Sequence, residues 1–283
     1  MQAPALFARR TLGMLAILAA IVVMICFSIA LGANPLPWGE VWNGLLARDN
    51  SEAAIIVWTL RIPRTVVAIA TGAAFGVAGA LIQALTRNPL ADPGILGVNA
   101  GAGFAVTLAA GPFGLPRTSG HICFPPLAAA TTTVVVYFIG SGASLGASGK
   151  ANPATLVLAG VALAAVLSGI TQFLTLIDPD TFQAIRNWSL GSVARADLSD
   201  TALVAPFLAA GLVLALAISS SLNSIALGDD LAASLGTKVV RTRVLGIIAV
   251  TLLAGGATAL TGGLAFVGLM VPHVVRWIVG PDQ

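Results

Sequence analysis

Charge is the scarcest commodity in this chain. Lys, Arg, Asp and Glu make up 9% of its 283 residues, where a soluble domain carries about 25%. That deficit excludes a water-soluble fold, because so few charges cannot cover the surface of a chain this long. Cysteine and histidine are nearly missing too. Cys26 and Cys123 lie in or beside apolar segments, and His121 and His273 are far apart. Neither a disulfide framework nor a metal-ligand spacing can be built from them, so no metal site and no cofactor site are expected. No G-x-x-x-x-G-K-[ST] run occurs, which excludes a phosphate-binding loop of that type in this chain. The net charge of +3 is spread out and gives no basic nucleic-acid patch.

What is present is apolar length. Hydrophobic residues make up 57% of the chain and mean hydropathy is +0.96. About 20 apolar residues span the hydrocarbon core of a bilayer, and the runs here do not alternate as β-barrel strands do. The pattern predicts an all-α, polytopic helical membrane protein, with spans near 12–32, 64–86, 94–111, 124–141, 153–176, 201–219, 243–261 and 263–280. Arg9 and Arg10 precede the first run, which is too long for the core of a signal peptide, and they hold the N-terminus inside. Eight crossings return the C-terminus to the same side. Arg9, Arg10, Arg87, Lys150, Lys238, Arg241, Arg243 and Arg276 then lie inside, and Arg48, Arg61, Arg64, Arg117, Arg186 and Arg195 outside. This is a weak bias in the expected direction.

Within the spans, small residues replace charges. Gly72, Gly76 and Gly79 recur at spacings of four and three in the second run, as in tightly packed helices in lipid. Ion-coupled carriers usually hold ionisable groups at such depths, and none lies mid-span here. Two loops are long enough to fold. In 177–200, Asp178-Pro179-Asp180 is a helix start, followed by Phe182, Ile185 and Trp188 at three-residue spacing. This predicts a short surface helix with Trp188 at headgroup level. In 220–242, Asp229 and Asp230 suit a first helical turn, Leu227, Leu231 and Leu235 repeat every four residues, and Gly236 reads as a C-cap. Membrane-surface anchors usually carry Lys or Arg on the polar face. This one is acidic, which favours a protein partner.

Four segments carry a resemblance: Leu60-Arg-Ile-Pro-Arg64, Gln83-Ala-Leu-Thr-Arg-Asn-Pro-Leu-Ala-Asp-Pro-Gly-Ile-Leu-Gly97, Ala226-Leu-Gly-Asp-Asp-Leu-Ala-Ala-Ser-Leu-Gly236 and Gly263-Leu-Ala-Phe-Val-Gly-Leu-Met-Val-Pro-His273. From about residue 35 onward the chain resembles the FecCD-type permeases, the membrane subunits of binding-protein-dependent ABC importers for ferric siderophores, haem and cobalamin. The resemblance implies a type II ABC importer permease fold forming one transmembrane domain over 1–283. Its expected place is the inner membrane, crossed many times. It implies no enzymatic activity in this chain. The expected partners are cytoplasmic ATPase subunits, an extracytoplasmic substrate-binding protein, a second permease subunit and the lipid bilayer.

It also implies roles. Arg61 and Arg64 match the cations that meet acidic residues of the binding protein; interfacial arginines snorkelling to headgroups is the plainer alternative. Asn88, Pro89 and Leu90 match the turn that closes the cytoplasmic end of the path, and Asn152-Pro153-Ala154-Thr155 stands where a second gate segment lies. Ala226, Leu227, Gly228, Asp229, Asp230, Leu231, Ala232, Ala233, Ser234, Leu235 and Gly236 match the coupling segment that rests on the ATPase. His273 is expected in a packing or helix-end role. Family members usually have ten spans with an inverted repeat, so the eight found here imply C-terminal truncation. The expected function is translocation of a ferric siderophore by alternating access, with cobalamin or haem as alternative cargo. An ATP-independent carrier or channel would need buried charges or a filter loop. A membrane-embedded enzyme would need a catalytic cluster. Neither pattern is in the sequence.

Overall fold

In lipid no water satisfies the backbone, so apolar runs close their hydrogen bonds within helices. The computed structural model describes residues 3–114, 120–142, 153–194 and 197–280. Regular structure among the described residues is wholly helical: α1 Ala3–Ala30, α2 Trp38–Ala47, α3 Glu52–Ile56, α4 Ile62–Thr86, α5 Val98–Ala110, α6 Gly120–Gly142, α7 Pro153–Ile177, α8 Pro179–Ser189, α9 Leu198–Ala226, α10 Asp229–Ser234, α11 Val239–Thr261 and α12 Val267–Val279. Arg117, Lys150, Asn152 and Arg195 lie outside the described residues.

Each expected span corresponds to one helix. Five helical stretches are long and apolar enough to cross a membrane: Arg10–Ala30, Glu52–Thr86, Ala154–Ile177, Leu198–Ala226 and Val239–Thr261. Val98–Ala110, Phe124–Gly140 and Val267–Val279 are apolar and shorter. The boundaries differ from expectation in two instructive places. The second span does not begin at Arg64. α3 runs through a π-helical turn, Val57–Arg61, directly into α4, and the Ile62 N–H bonds the Val57 carbonyl. Pro63 lacks an N–H and would crowd the preceding turn of a regular helix; the wider π turn absorbs it. The third span starts late. Asp92 caps a 3-10 turn, Pro93–Leu96, by accepting from the Gly94 N–H at 2.8 Å, and Gly97 at φ 77° sets the new direction of α5.

The core lies where α4, α9 and α11 meet, around Ile82, Leu85, Leu208, Leu222, Val250 and Leu253. Burial against lipid supplies little hydrophobic drive, so close packing has to hold these helices together. α4 and α12 approach closest at Gly79, where a Cβ would stand 1.8 Å from the Gly268 carbonyl oxygen. Gly76 meets the Val271 side chain, whereas Gly72 faces open space, so only two of the three spaced glycines serve a helix contact. The apolar window of α1 has no buried residue. α7 also presents an open apolar face, with Leu158, Phe173 and Leu176 exposed.

Candidate functional site: the two ends of α4

α4 has 25 residues, about 37 Å of helix at 1.5 Å per residue. Arg61 and Arg64 stand at its beginning and Arg87 and Asn88 at its end, so one rigid element separates the two expected sites.

At the first end, the final carbonyls of α1 have no partner within their own helix. Arg61 supplies one. Its Nη1 donates to the Ile29 carbonyl at 2.9 Å and the Ala30 carbonyl at 2.6 Å, and its Nη2 to the Asn34 carbonyl at 2.7 Å. Arg64 Nη2 donates to the Leu31 carbonyl at 2.6 Å and to the Ser28 carbonyl. Ser28 and Thr65 hydroxyls are paired at 2.7 Å. Arg61 is therefore 2% exposed, and Arg64 is half-buried. Of the two arginines expected to dock a binding protein, Arg61 has its guanidinium on the C-terminus of α1 in this structure, and Arg64 is the more exposed. Nearby, the Arg48 guanidinium lies 3.8 Å over the Trp58 ring, and Trp58 Nε1 donates to the Gly44 carbonyl at 3.1 Å. These contacts fix α2 to the same corner.

α8 forms where the sequence places it. Asp178 accepts from the Thr181 N–H at 2.9 Å and from the Thr181 hydroxyl. These two bonds, the hydroxyl first, hold the Asp178 carboxyl below the ordinary aspartate range. Trp188, expected at headgroup level, packs against protein. Its ring sits in a protein slot: a Cβ on Gly103 of α5 or on Gly263 past α11 would lie 2.9 and 3.0 Å from it. The Trp188 carbonyl accepts from the Gly263 N–H at 3.0 Å, and the Ser192 N–H donates to the Thr261 carbonyl at 2.7 Å. α8 is thereby latched to both α5 and the end of α11. Beside this latch, between α5, α7 and α8, lies a cleft of about 270 Å³ whose wall mixes polar Asn99, Ser168, Thr171, Gln172 and Thr175 with apolar Phe104, Ile185 and Trp188, with no charged side chain. Its groups hydrogen-bond in both senses and repel ligands of neither charge.

At the second end, α4 closes in a Schellman motif. The Asn88 N–H bonds the Gln83 carbonyl at 3.1 Å and the Arg87 N–H the Ala84 carbonyl at 3.3 Å. Arg87 has φ 50°, a position usually held by glycine; a side chain there costs about 1 kcal/mol. Asn88 Oδ1 then accepts from the Leu90 N–H at 2.9 Å, and the Ala91 N–H bonds the Asn88 carbonyl at 3.1 Å. The turn is rigid and projects Leu90, which is 73% exposed. Buried Gln83 holds its far side, with Nε2 donating to the Ala91 carbonyl at 3.3 Å and the Leu269 carbonyl at 3.4 Å. Arg276 of α12 donates to Gln83 Oε1. Burial pushes the Asp92 carboxyl up, against the lowering effect of the Gly94 N–H.

The segment 226–236 packs beside this turn, yet it is not one helix: Ala226 belongs to α9 and six residues form α10. Ala226 ends α9, Gly228 at φ 117° turns the chain, and α10 follows. The expected cap at Gly236 is present: its N–H bonds the Ala233 carbonyl at 3.0 Å and the Thr237 N–H bonds the Ala232 carbonyl at 2.9 Å. Leu227, Leu231 and Leu235 are exposed, while Ala232 is buried. Arg87 pairs with Asp229 of α10, and Arg243 of α11 holds the same carboxylate at 2.9 Å. Sequence reasoning placed Arg87 and Arg243 only as inside charges. The available signal was an arginine at a helix end that favours glycine. His273 lies mid-helix in α12, exposed, with its ring 5.1 Å from that of Trp277. Pro153 opens α7. No group of three or more His, Cys, Asp or Glu residues fit to hold a metal occurs among the described residues.

Comparison with known proteins gives a consistent result. Residues 20–283 match the FecCD transport family. The chain is 42% identical over 275 residues to the ferric enterobactin transport system permease protein FepD of Escherichia coli (strain K12), covering 97% of this chain and 81% of that protein. It is 35% identical over 286 residues to the hemin transport system permease protein HmuU of Yersinia pestis, covering 97% and 80%. Among solved structures, it is similar to an inward-facing conformation described as a metal-chelate type ABC transporter. That match has a TM-score of 0.77 and 27% identity and covers 99% of this chain and 83% of the other.

Proposed function

The chain belongs to the FecCD transport family, and from that premise we propose that it is a membrane-spanning permease subunit of an ATP-driven importer for ferric siderophores. It sits in the inner membrane and passes cargo by alternating access. The observation that carries the cargo is the 42% identity, nearly end to end, to a ferric enterobactin permease; the haemin permease stands further off at 35%.

In this reading the two ends of α4 serve different partners. The corner of α1, α2 and α4 receives an extracytoplasmic binding protein. Arg61 braces that corner from beneath, and Arg64, which is less buried, is the cation that an acidic side chain of the binding protein reaches. Such charges steer docking more than they add affinity. At the other end Asn88, Pro89 and Leu90 close the path, and exposed Leu227, Leu231 and Leu235 rest on a separate ATPase subunit. A second permease subunit covers the open face of α7. Among the described residues the buried side chains of the spans include one charged group, Arg61, at a helix junction. That supports an engine outside this chain, since coupled carriers place ionisable groups along the path.

The test is uptake of radiolabelled ferric enterobactin in cells with and without the gene, with haemin and cobalamin as competing cargoes. Gene-dependent iron uptake that neither competitor reduces is expected. Gene-dependent cobalamin or haem uptake without siderophore uptake would overturn the cargo.

A further inference from the structure

Arg87 occupies a left-handed backbone position that its own side chain disfavours, so the residue stands there for what the side chain reaches. Its Nε donates to the Ile225 carbonyl at 3.0 Å, and its Nη2 pairs with Asp229. Arg243 Nη2 approaches the same carboxylate, 3.0 Å from Oδ1 and 2.9 Å from Oδ2. One carboxylate in the first turn of α10 therefore ties the end of α4 to the beginning of α11, and Arg87 itself adds the end of α9 through the Ile225 carbonyl. Side-chain exposure falls from 38% for Arg87 to 22% for Asp229 and 11% for Arg243. The inner half of this cluster is thus less screened than an ordinary surface pair.

The chain order matters as much as the contacts. Arg87 is followed at once by Asn88, Pro89 and Leu90, with Asn88 bonded to Leu90 and Ala91. The turn has one anchored side, where Gln83 holds the Ala91 and Leu269 carbonyls, and one side attached to α10 through Asp229. A displacement of α10 must either break the ion pair or swing the turn about its anchored side.

Resting on the reading that α10 meets the ATPase and that residues 88–90 close the path, we infer that Asp229 is a positioning residue. Its carboxylate, gripped by Arg87 and Arg243, carries movement of the coupling segment to the gate turn. This assigns α10 a lever on the gate beyond the rocking of whole helices, and it makes Arg87 the point where the lever attaches.

The decisive variants are Arg87→Gly and Asp229→Asn. Glycine removes the side chain while relieving the left-handed backbone, so loss of folding is not the expected result; asparagine keeps the shape of Asp229 without its charge. Each is reconstituted in proteoliposomes with the ATPase and binding protein, with ferric enterobactin as the probe. ATPase assembly, ATP hydrolysis and cargo moved per ATP are measured together. Both variants are expected to assemble and hydrolyse ATP, with cargo per ATP falling about tenfold. Unchanged cargo per ATP in either variant would overturn the linkage. So would loss of ATPase assembly, which would make the residue a docking determinant. Leu231→Asp separates the underlying reading: if the ATPase still assembles on it, α10 is not the ATPase contact.

Discussion

Replacing Arg61 with alanine removes three charge-assisted hydrogen bonds at 2.6, 2.7 and 2.9 Å and leaves the Ile29, Ala30 and Asn34 carbonyls to find other donors. Each such bond contributes about 1.5–3 kcal/mol, so the three together set an upper bound near 4.5–9 kcal/mol. Water at the membrane surface can satisfy some of the freed carbonyls, and removing a buried charge recovers desolvation energy. A net loss of roughly 3–5 kcal/mol is therefore expected. Arg61→Lys keeps the charge without the planar fork and is expected to fall between the two. The assay is chemical unfolding of the purified protein in nanodiscs, combined with proteolysis of residues 31–37, which lose their attachment to α4 in the variant. Binding-protein affinity is measured on the same samples. Unchanged stability with abolished docking would refute the reasoning and restore Arg61 as a surface contact.

Three further outcomes follow from the packing. Trp188→Ala empties the slot between Gly103 and Gly263 and is expected to destabilise by about 3–5 kcal/mol, with faster hydrogen exchange in α8 and the 262–266 segment together; exchange confined to α8 would contradict the latch. Gly79→Val places a branched side chain against the Gly268 backbone and is expected to separate α4 from α12, lowering the melting temperature in nanodiscs, whereas Gly72→Val is expected to leave it unchanged. Asp178 has its carboxyl held low by Thr181, so its cap contributes fully above the ordinary aspartate range and is lost only as pH falls through its depressed value. Exchange protection of α8 is expected to be equal at neutral and mildly acidic pH, and Asp178→Ala is expected to lose it at both.

Helices that face lipid were the most readable part of this chain, because their apolar runs are local and long. α8 was legible for the same kind of reason: Asp178 and Pro179 mark its start, and Phe182, Ile185 and Trp188 mark one face. The Gly236 cap needs only the residues beside it. What sequence reasoning missed depends on distant partners. Arg61 reads as an exposed cation until residues 29–34 bring their carbonyls to it. Trp188 reads as an interfacial aromatic until Gly103 and Gly263 open a slot. The ion pair of Arg87 joins residues 142 positions apart, and no local pattern announces it. Pro63 reads as a helix start because a π turn that tolerates it has no simple sequence signature.

The central claim is that this permease supplies a gate while its partners supply the energy, and reconstitution tests it most directly. The purified chain is placed in liposomes with the binding protein and ferric enterobactin, with and without the ATPase subunits and ATP. Accumulation is expected only when ATPase and ATP are both present. Accumulation by the permease and binding protein alone, unaffected by adding the ATPase and ATP, would contradict it.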